Sequence, residues 1–193
     1  MISQAKLLEP TRYFDDRGWF MEIYSEEWFG ANGIHDHFHQ DHHSYFKSVG
    51  TIRGIHFQMP PFAQAKLVRC VRGSILNVAV DLRRGSPAFA RPVVVELSDD
   101  DPAQFYIPIG FGHGFMTLEP DTEVLYKISN KYSREFENGI RWDDPTLAIE
   151  WPLTVDPIIS RQDWDLPTLA EFESPFVYGE EARGARVMVE GIQ

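Results

Sequence analysis

KLVRCVRGSILNVAVDL, residues 66–82, decides the fold class. From Ser74 onward Leu76, Val78, Val80 and Leu82 fall on one face, and Asn77, Ala79 and Asp81 on the other. A period of two is that of a β-strand, and the mixed second face predicts a side that is wet or functional. Gly73 separates this strand from KLVRCVR before it. Further on, RPVVVEL (91–97), AQFYIPIG (103–110), GFMTLEP (114–120) and EVLYKIS (123–129) have ordinary strand length. They are rich in β-branched and aromatic residues and bounded by Gly, Pro or Asp. With no helical period among them, the choices are a sandwich, a closed barrel or a jelly roll, all of them all-β.

Upstream, DDRG (15–18) reads as a tight turn between RYF and WFMEIY, and SEEWFGANG (25–33) as a short helix starting at Ser25. After Trp151 prolines break the pattern, and TLAEF (168–172) offers at most a helical turn. The 193 residues suit one domain, with 164–193 expected as a C-terminal extension of it.

A hydrophobic fraction of 43% is that of a folded soluble protein. No apolar run approaches a membrane span and MISQAKLLEPTRYF has no signal-peptide pattern, so a cytoplasmic location is expected. Cys70 has no second cysteine to pair with and is expected to be a small core residue. A net charge of −11 argues against nucleic acid or anionic membrane as partners. A small anionic ligand remains compatible, because a few converging arginines, among them Arg17, Arg53, Arg69 and Arg72, create a local field that the total hides.

The candidate chemistry lies on the strands. His56 follows Gly54 in RGIHFQ, and Lys66 opens the next strand. Each has an ordinary structural role available, a hydrogen-bonded core histidine or a lysine reaching water. Together they suggest more. Alternation puts Lys66 with Val68 and Cys70, and Tyr126 with Val124 and Ile128, so that two polar heads interrupt apolar faces as in a lined cavity. Asp163 in SRQD is a carboxylate of the kind that orients an imidazole, though sequence cannot bring it to His56. His113 in GFGHGF is framed by glycines, which suits either a close approach to a ligand or a turn before a strand.

IHDHFHQDHHS (34–44) holds five of the seven histidines. In an extended strand His35, His37, His39 and His43 would share a face with Asp41, and His42 would lie with Asp36, Phe38 and Gln40 on the other. Such a row could bind a metal or be solvated.

The segments RGIHFQ, PPFAQAKLVRCVRG, VAVDLRRGSPAF, IPIGFGHGF, EVLYKISNKYS and GIRWDDPTLAIEWP, in this order, resemble the dTDP-4-dehydrorhamnose 3,5-epimerase family from about Phe14 to Asp163. The resemblance implies a cupin-type jelly roll, normally a homodimer, that acts on a dTDP-linked 4-keto-6-deoxyhexose in deoxysugar biosynthesis. It implies epimerisation at C3, at C5 or at both, without cofactor or metal. By the family motif His56 is the general base paired with Asp163, Tyr126 the acid on the opposite face of the sugar, and Lys66 the cation near the C4 oxygen. Arg17, Glu22, Gln40, His42, Arg53, His113, Tyr132 and Glu137 are the implied substrate contacts, Arg53 and His113 for the pyrophosphate. The chain departs from the family pattern at QDHHS, where QDNHS is usual, at one extra residue between Ser44 and Arg53, and at Gln162, where a lysine is common.

The chemistry fits these residue types. Protons at C3 and C5 flank a ketone, so their removal gives an enolate that an ammonium can stabilise. A metal-binding cupin of oxygenase type and a non-catalytic sugar-nucleotide binder are the alternatives. The first would use the histidine stretch, and the second would need no intact acid and base.

Overall fold

The structure is a computed structural model and describes residues 4–179. Thirteen strands are formed among these residues: β1 Lys6–Leu8, β2 Arg12–Asp15, β3 Gly18–Met21, β4 Gln40–Phe46, β5 Thr51–Gln58, β6 Lys66–Arg72, β7 Ser74–Asp81, β8 Pro92–Ser98, β9 Gln104–Ile107, β10 Phe111–Thr117, β11 Thr122–Ile128, β12 Glu137–Gly139 and β13 Ile158–Ile159. Two short helices are α1, Glu26–Ala31, and α2, Arg161–Trp164.

The strands form two facing sheets, β1-β9-β6-β11-β4 and β12-β5-β10-β7-β8, with β13 added parallel to β5. Neighbours in space are far apart in sequence, β6 beside both β9 and β11, β10 between β5 and β7, which is the wiring of a jelly roll. The hairpin β2–β3 stands outside both sheets as a separate two-stranded unit.

Between the sheets lies a core built from Val68, Cys70, Ile75, Ala79, Phe105, Phe115 and Val124. Cys70 is a fully buried member of it, as expected of a small core residue. The outer faces are also covered. Leu67, Tyr106 and Leu8 pack against Phe29 and Ile34 of the α1 region, and Val78, Val80 and Leu82 pack against Ile140, Leu147, Leu169 and Phe176 from the later chain. Of the two readings of the second face of β7, wet or functional, burial removes the first. Asn77, Ala79 and Asp81 are as buried as the apolar set, because one face of β7 looks into the sandwich and the other lies beneath the segment 140–176.

Local chemistry sets the element ends. Ser25 caps α1, its side chain accepting from the Trp28 N–H, and Asp15–Gly18 closes the hairpin with Gly18 at φ 136. TLAEF contains a single 3-10 turn, Leu169–Glu171, held by a reciprocal Thr168–Glu171 capping box. Of the expected C-terminal extension, Leu169, Phe172 and Phe176 pack into the outer-face cluster of Val78 and Val80, Phe172 and Phe176 against Phe57. GEEARGARVMVEGIQ, apart from its first glycine, lies outside the described residues. Among those residues no helix is long and apolar enough to cross a membrane.

Candidate active site

A cavity of about 220 Å³ opens between the sheets, and His56, Lys66, Tyr126, Arg53, His113 and Glu137 line it. Strands β5, β6, β10 and β11 each contribute. Arg53 and His56 are three positions apart, so strict alternation would send them to opposite faces. The register of β10 against β5 shifts between His113 and Phe115, and both side chains reach the cavity. Two glycines permit that shift. A Cβ on Gly54, at φ 114, would sit 2.6 Å from the Gly114 Cα, and one on Gly114 would sit 2.9 Å from the Arg53 carbonyl oxygen.

Asp163 is brought to His56 by β13, which pairs with Thr51 and Ile52 of β5 and delivers α2 alongside. Ser160 caps α2 by accepting from the Asp163 N–H. The carboxylate is buried at 3% exposure. Its Oδ1 accepts from His56 Nε2 and from the Ser160 hydroxyl, each at 2.9 Å, and its Oδ2 from the Gly54 N–H at 2.9 Å. Burial pushes this carboxyl up, but the hydrogen bonds and charge of His56 with those of Gly54 and Ser160 outweigh it and hold the pKa below the ordinary value. An ionised carboxylate only accepts, so His56 Nε2 carries a proton toward Asp163 and Nδ1 is the ring nitrogen left to take one.

Lys66 Nζ donates to the His56 carbonyl at 3.3 Å. Burial, with the neighbouring Arg53 charge, brings its pKa down to about 8, against the opposing pull of Glu137. Tyr126 projects from β11 between Val68 and His42 on the adjoining strands. The His42 ring meets the Tyr126 ring edge-on at 5.0 Å, and burial, then the charges of Arg53 and Lys66, lower the His42 pKa.

His113 lies within β10, directly across from His56, which corrects the reading of a turn before a strand: both flanking glycines are packed strand residues. Its Nε2 is 2.8 Å from Asn77 Oδ1. Burial, then Lys66, His56 and Arg53, hold its pKa well below the ordinary value, so it adds no positive charge to Arg53. Arg53 itself reaches Ser44 Oγ at 3.4 Å. At the rim, Tyr132 donates to Glu137 at 2.7 Å, Gln162 donates to the same oxygen at 3.2 Å, and Gln40 accepts from the Tyr132 N–H.

Nine of the twelve residues named from sequence therefore meet here: Asp163 through His56, and His42, Arg53, His56, Lys66, His113, Tyr126, Tyr132 and Glu137 as cavity lining. Gln40 stands one step back, holding Tyr132. Arg17 and Glu22 are exposed on and beside the hairpin, outside this lining, with Arg17 ion-paired to Asp15 at 2.6 Å. The sequence reading missed Gln58 and Gln64, which also line the cavity, and Asn77 behind it. A polar residue inside the valine-rich β7 was the available signal for Asn77.

The histidine stretch is only partly a strand. Residues 34–39 are irregular and β4 starts at Gln40, so His35, His37, His39 and His43 form no continuous row. His43 pairs with Glu123 at 2.8 Å and His37 lies 3.7 Å from Glu26. Among the described residues no three His, Cys, Asp or Glu side chains come together as a metal-binding set.

A jelly roll with a histidine–carboxylate pair, a half-buried lysine and a tyrosine around one cavity defines a cupin-type protein equipped for proton transfer at a bound small molecule. The particular family follows from comparison with known proteins. The sequence profile of dTDP-4-dehydrorhamnose 3,5-epimerases matches residues 1–171, and the chain belongs to that family. It is similar to the dTDP-4-dehydrorhamnose 3,5-epimerase of Sinorhizobium fredii, 45% identical over 92% of this chain and 91% of that one. The Bacillus anthracis enzyme of the same name, crystallised with TDP and PPi bound, superposes with TM-score 0.83 at 47% identity, covering 86% of this chain and 94% of that one. A 3'-monoepimerase from Streptomyces bikiniensis in complex with dTDP-quinovose gives TM-score 0.80 at 35% identity, covering 88% and 85%.

Proposed function

We propose that this protein epimerises C3 and C5, the carbons flanking the ketone, of a dTDP-linked 4-keto-6-deoxyhexose. One observation carries the reading: a base nitrogen, an ammonium and a phenol face one cavity, with a buried carboxylate behind the base. Nδ1 of His56 takes the carbon-bound proton, and Asp163 stabilises the imidazolium that forms. Charge moves to the C4 oxygen, where Lys66 offsets it. Tyr126 returns a proton from its hydroxyl to the other face. Arg53 binds the pyrophosphate, with His113 beside it. Tyr132, Glu137, Gln40 and His42 shape the wall against which sugar and nucleotide lie.

Incubation with dTDP-4-keto-6-deoxyglucose in heavy water tests this. Deuterium at C3 and C5 is the expected result. Deuterium at C3 alone would make the protein a monoepimerase, and tight binding without incorporation would make it a receptor.

Two copies are inferred to associate through the β2–β3 hairpin. Phe14 and Phe20 are 73% and 69% exposed on a two-stranded unit that pairs with neither larger sheet among the described residues, an arrangement with little stability by itself. A hairpin seated at a second copy's cavity is also the arrangement in which Arg17 and Glu22 would meet substrate. A single-domain chain and a cytoplasmic location fit the two packed sheets with their covered outer faces and the buried, unpaired Cys70.

A further inference from the structure

Asn77 is wholly buried, and its amide nitrogen meets no acceptor among the described residues, while its oxygen faces His113 Nε2 at 2.8 Å. An orphaned buried NH2 group is rare in folded proteins, an under-satisfied carbonyl less so. The two ends of an amide have the same shape, so hydrogen-bond satisfaction decides which end faces the ring. With the amide turned over, Nδ2 donates to the lone pair of a neutral imidazole and only the carbonyl is left short. Burial first, then the charges of Lys66, His56 and Arg53, disfavours the cationic form of His113, which keeps that lone pair available.

We propose that Asn77 is a positioning residue: by donating to His113 Nε2 it fixes the ring proton on Nδ1 and makes His113 an uncharged hydrogen-bond donor to a ligand oxygen in the cavity. Cross-strand neighbours His56 and His113 then carry opposite arrangements. A carboxylate behind the first leaves Nδ1 as a base, and an amide behind the second leaves Nδ1 as a donor. This inference rests on the acid–base reading above for its ligand, whose oxygen is either the enolate's or a phosphoryl group's.

The test is the tautomer of His113, read from long-range proton–nitrogen correlations of the intact protein labelled with 15N-histidine, the resonance assigned by its loss in His113→Gln. The expected result is Nδ1–H at neutral pH; Nε2–H in the unmodified protein would overturn the proposal. In Asn77→Asp the carboxylate only accepts, so the proton should move to Nε2. Turnover of dTDP-4-keto-6-deoxyglucose should then fall about 10–100-fold in kcat if the oxygen is the enolate's, or KM should rise by a similar factor if it is a phosphoryl oxygen. Unchanged kcat and KM in a variant whose tautomer has switched would refute the role. The tautomer is measured without substrate, so a protein that incorporates no deuterium would sink the epimerase reading and leave this result standing.

Discussion

Asp163 and His56 meet at 2.9 Å although 107 residues separate them, and the same carboxylate also holds the Gly54 N–H and the Ser160 hydroxyl. Three donors on one buried carboxylate make it a fixed strut behind the imidazole.

Replacing it with an isosteric amide should show as much. In Asp163→Asn the new NH2 group can donate to His56 Nε2, which would move the ring proton to Nδ1 and remove the base. We expect kcat to fall roughly 10²–10⁴-fold with little change in KM. Steady-state kinetics check this, and a variant within threefold of the parent would contradict the assignment of His56 as base.

The pH profile should report Lys66. Its pKa is lowered to about 8, so the ammonium is present below that value and lost as pH rises through it. In the free protein kcat/KM should therefore decline on the alkaline side with an apparent pKa near 8. Lys66→Met should lower activity by about 10²–10³-fold and lack that limb. An identical alkaline limb in the variant would assign it to another group.

Tyr126→Phe separates the two proton transfers. It leaves His56, Asp163 and Lys66 in place, so exchange of a carbon-bound hydrogen with solvent deuterium should continue while inversion stops. Mass spectrometry with proton couplings on the recovered sugar reads both. Inverted product formed at the parental rate would exclude the phenol as acid.

Gly54 and Gly85 make a matched pair for stability. Both have positive φ, 114 and 81, but a Cβ at Gly54 meets the backbone of Gly114 and His113 at 2.6 Å, whereas at Gly85 nothing lies within 4 Å. Gly54→Ala should cost about 2–5 kcal/mol, strain plus overpacking, and Gly85→Ala about 1–2 kcal/mol, strain only. Chemical denaturation measures both, and equal losses would deny that the close approach of β5 and β10 matters.

The hairpin surface has its own test. The double variant Phe14→Glu, Phe20→Glu puts charge on both faces of the hairpin, Phe14 lying across from Trp19 and Phe20 across from Tyr13. Sedimentation velocity should show a dimer for the parent and a monomer for the variant, with the cavity residues untouched. A monomeric parent would end the proposal of association through this hairpin.

Much of the architecture was legible because it rests on local rules. Alternation in 66–82 marked strands, Ser25 marked a helix start, and DDRG marked a hairpin turn, each depending on residues within a few positions of one another. Lys66 and Tyr126 could be suspected as cavity residues for the same reason, each being a polar head in an apolar series. The histidine stretch stayed open between metal and solvent, since alternation says which faces residues would take in a strand but not whether a strand forms; residues 34–39 are irregular, and His35, His37 and His39 are exposed. Burial on both faces of β7 was hidden because the segment that covers it, 140–176, lies at least 59 positions away in sequence.

Residue order thus determined the strands, the turns and the stock of acids, bases and cations, since each follows from short-range periodicity and side-chain type. Only the tertiary structure decided that Asp163 stands behind His56, that Asn77 stands behind His113, and that Arg53 and His56 share a face. Those relations depend on strand pairing across long loops and on a register shift at Gly54 and Gly114, where packing between backbones, rather than any local preference, sets the geometry.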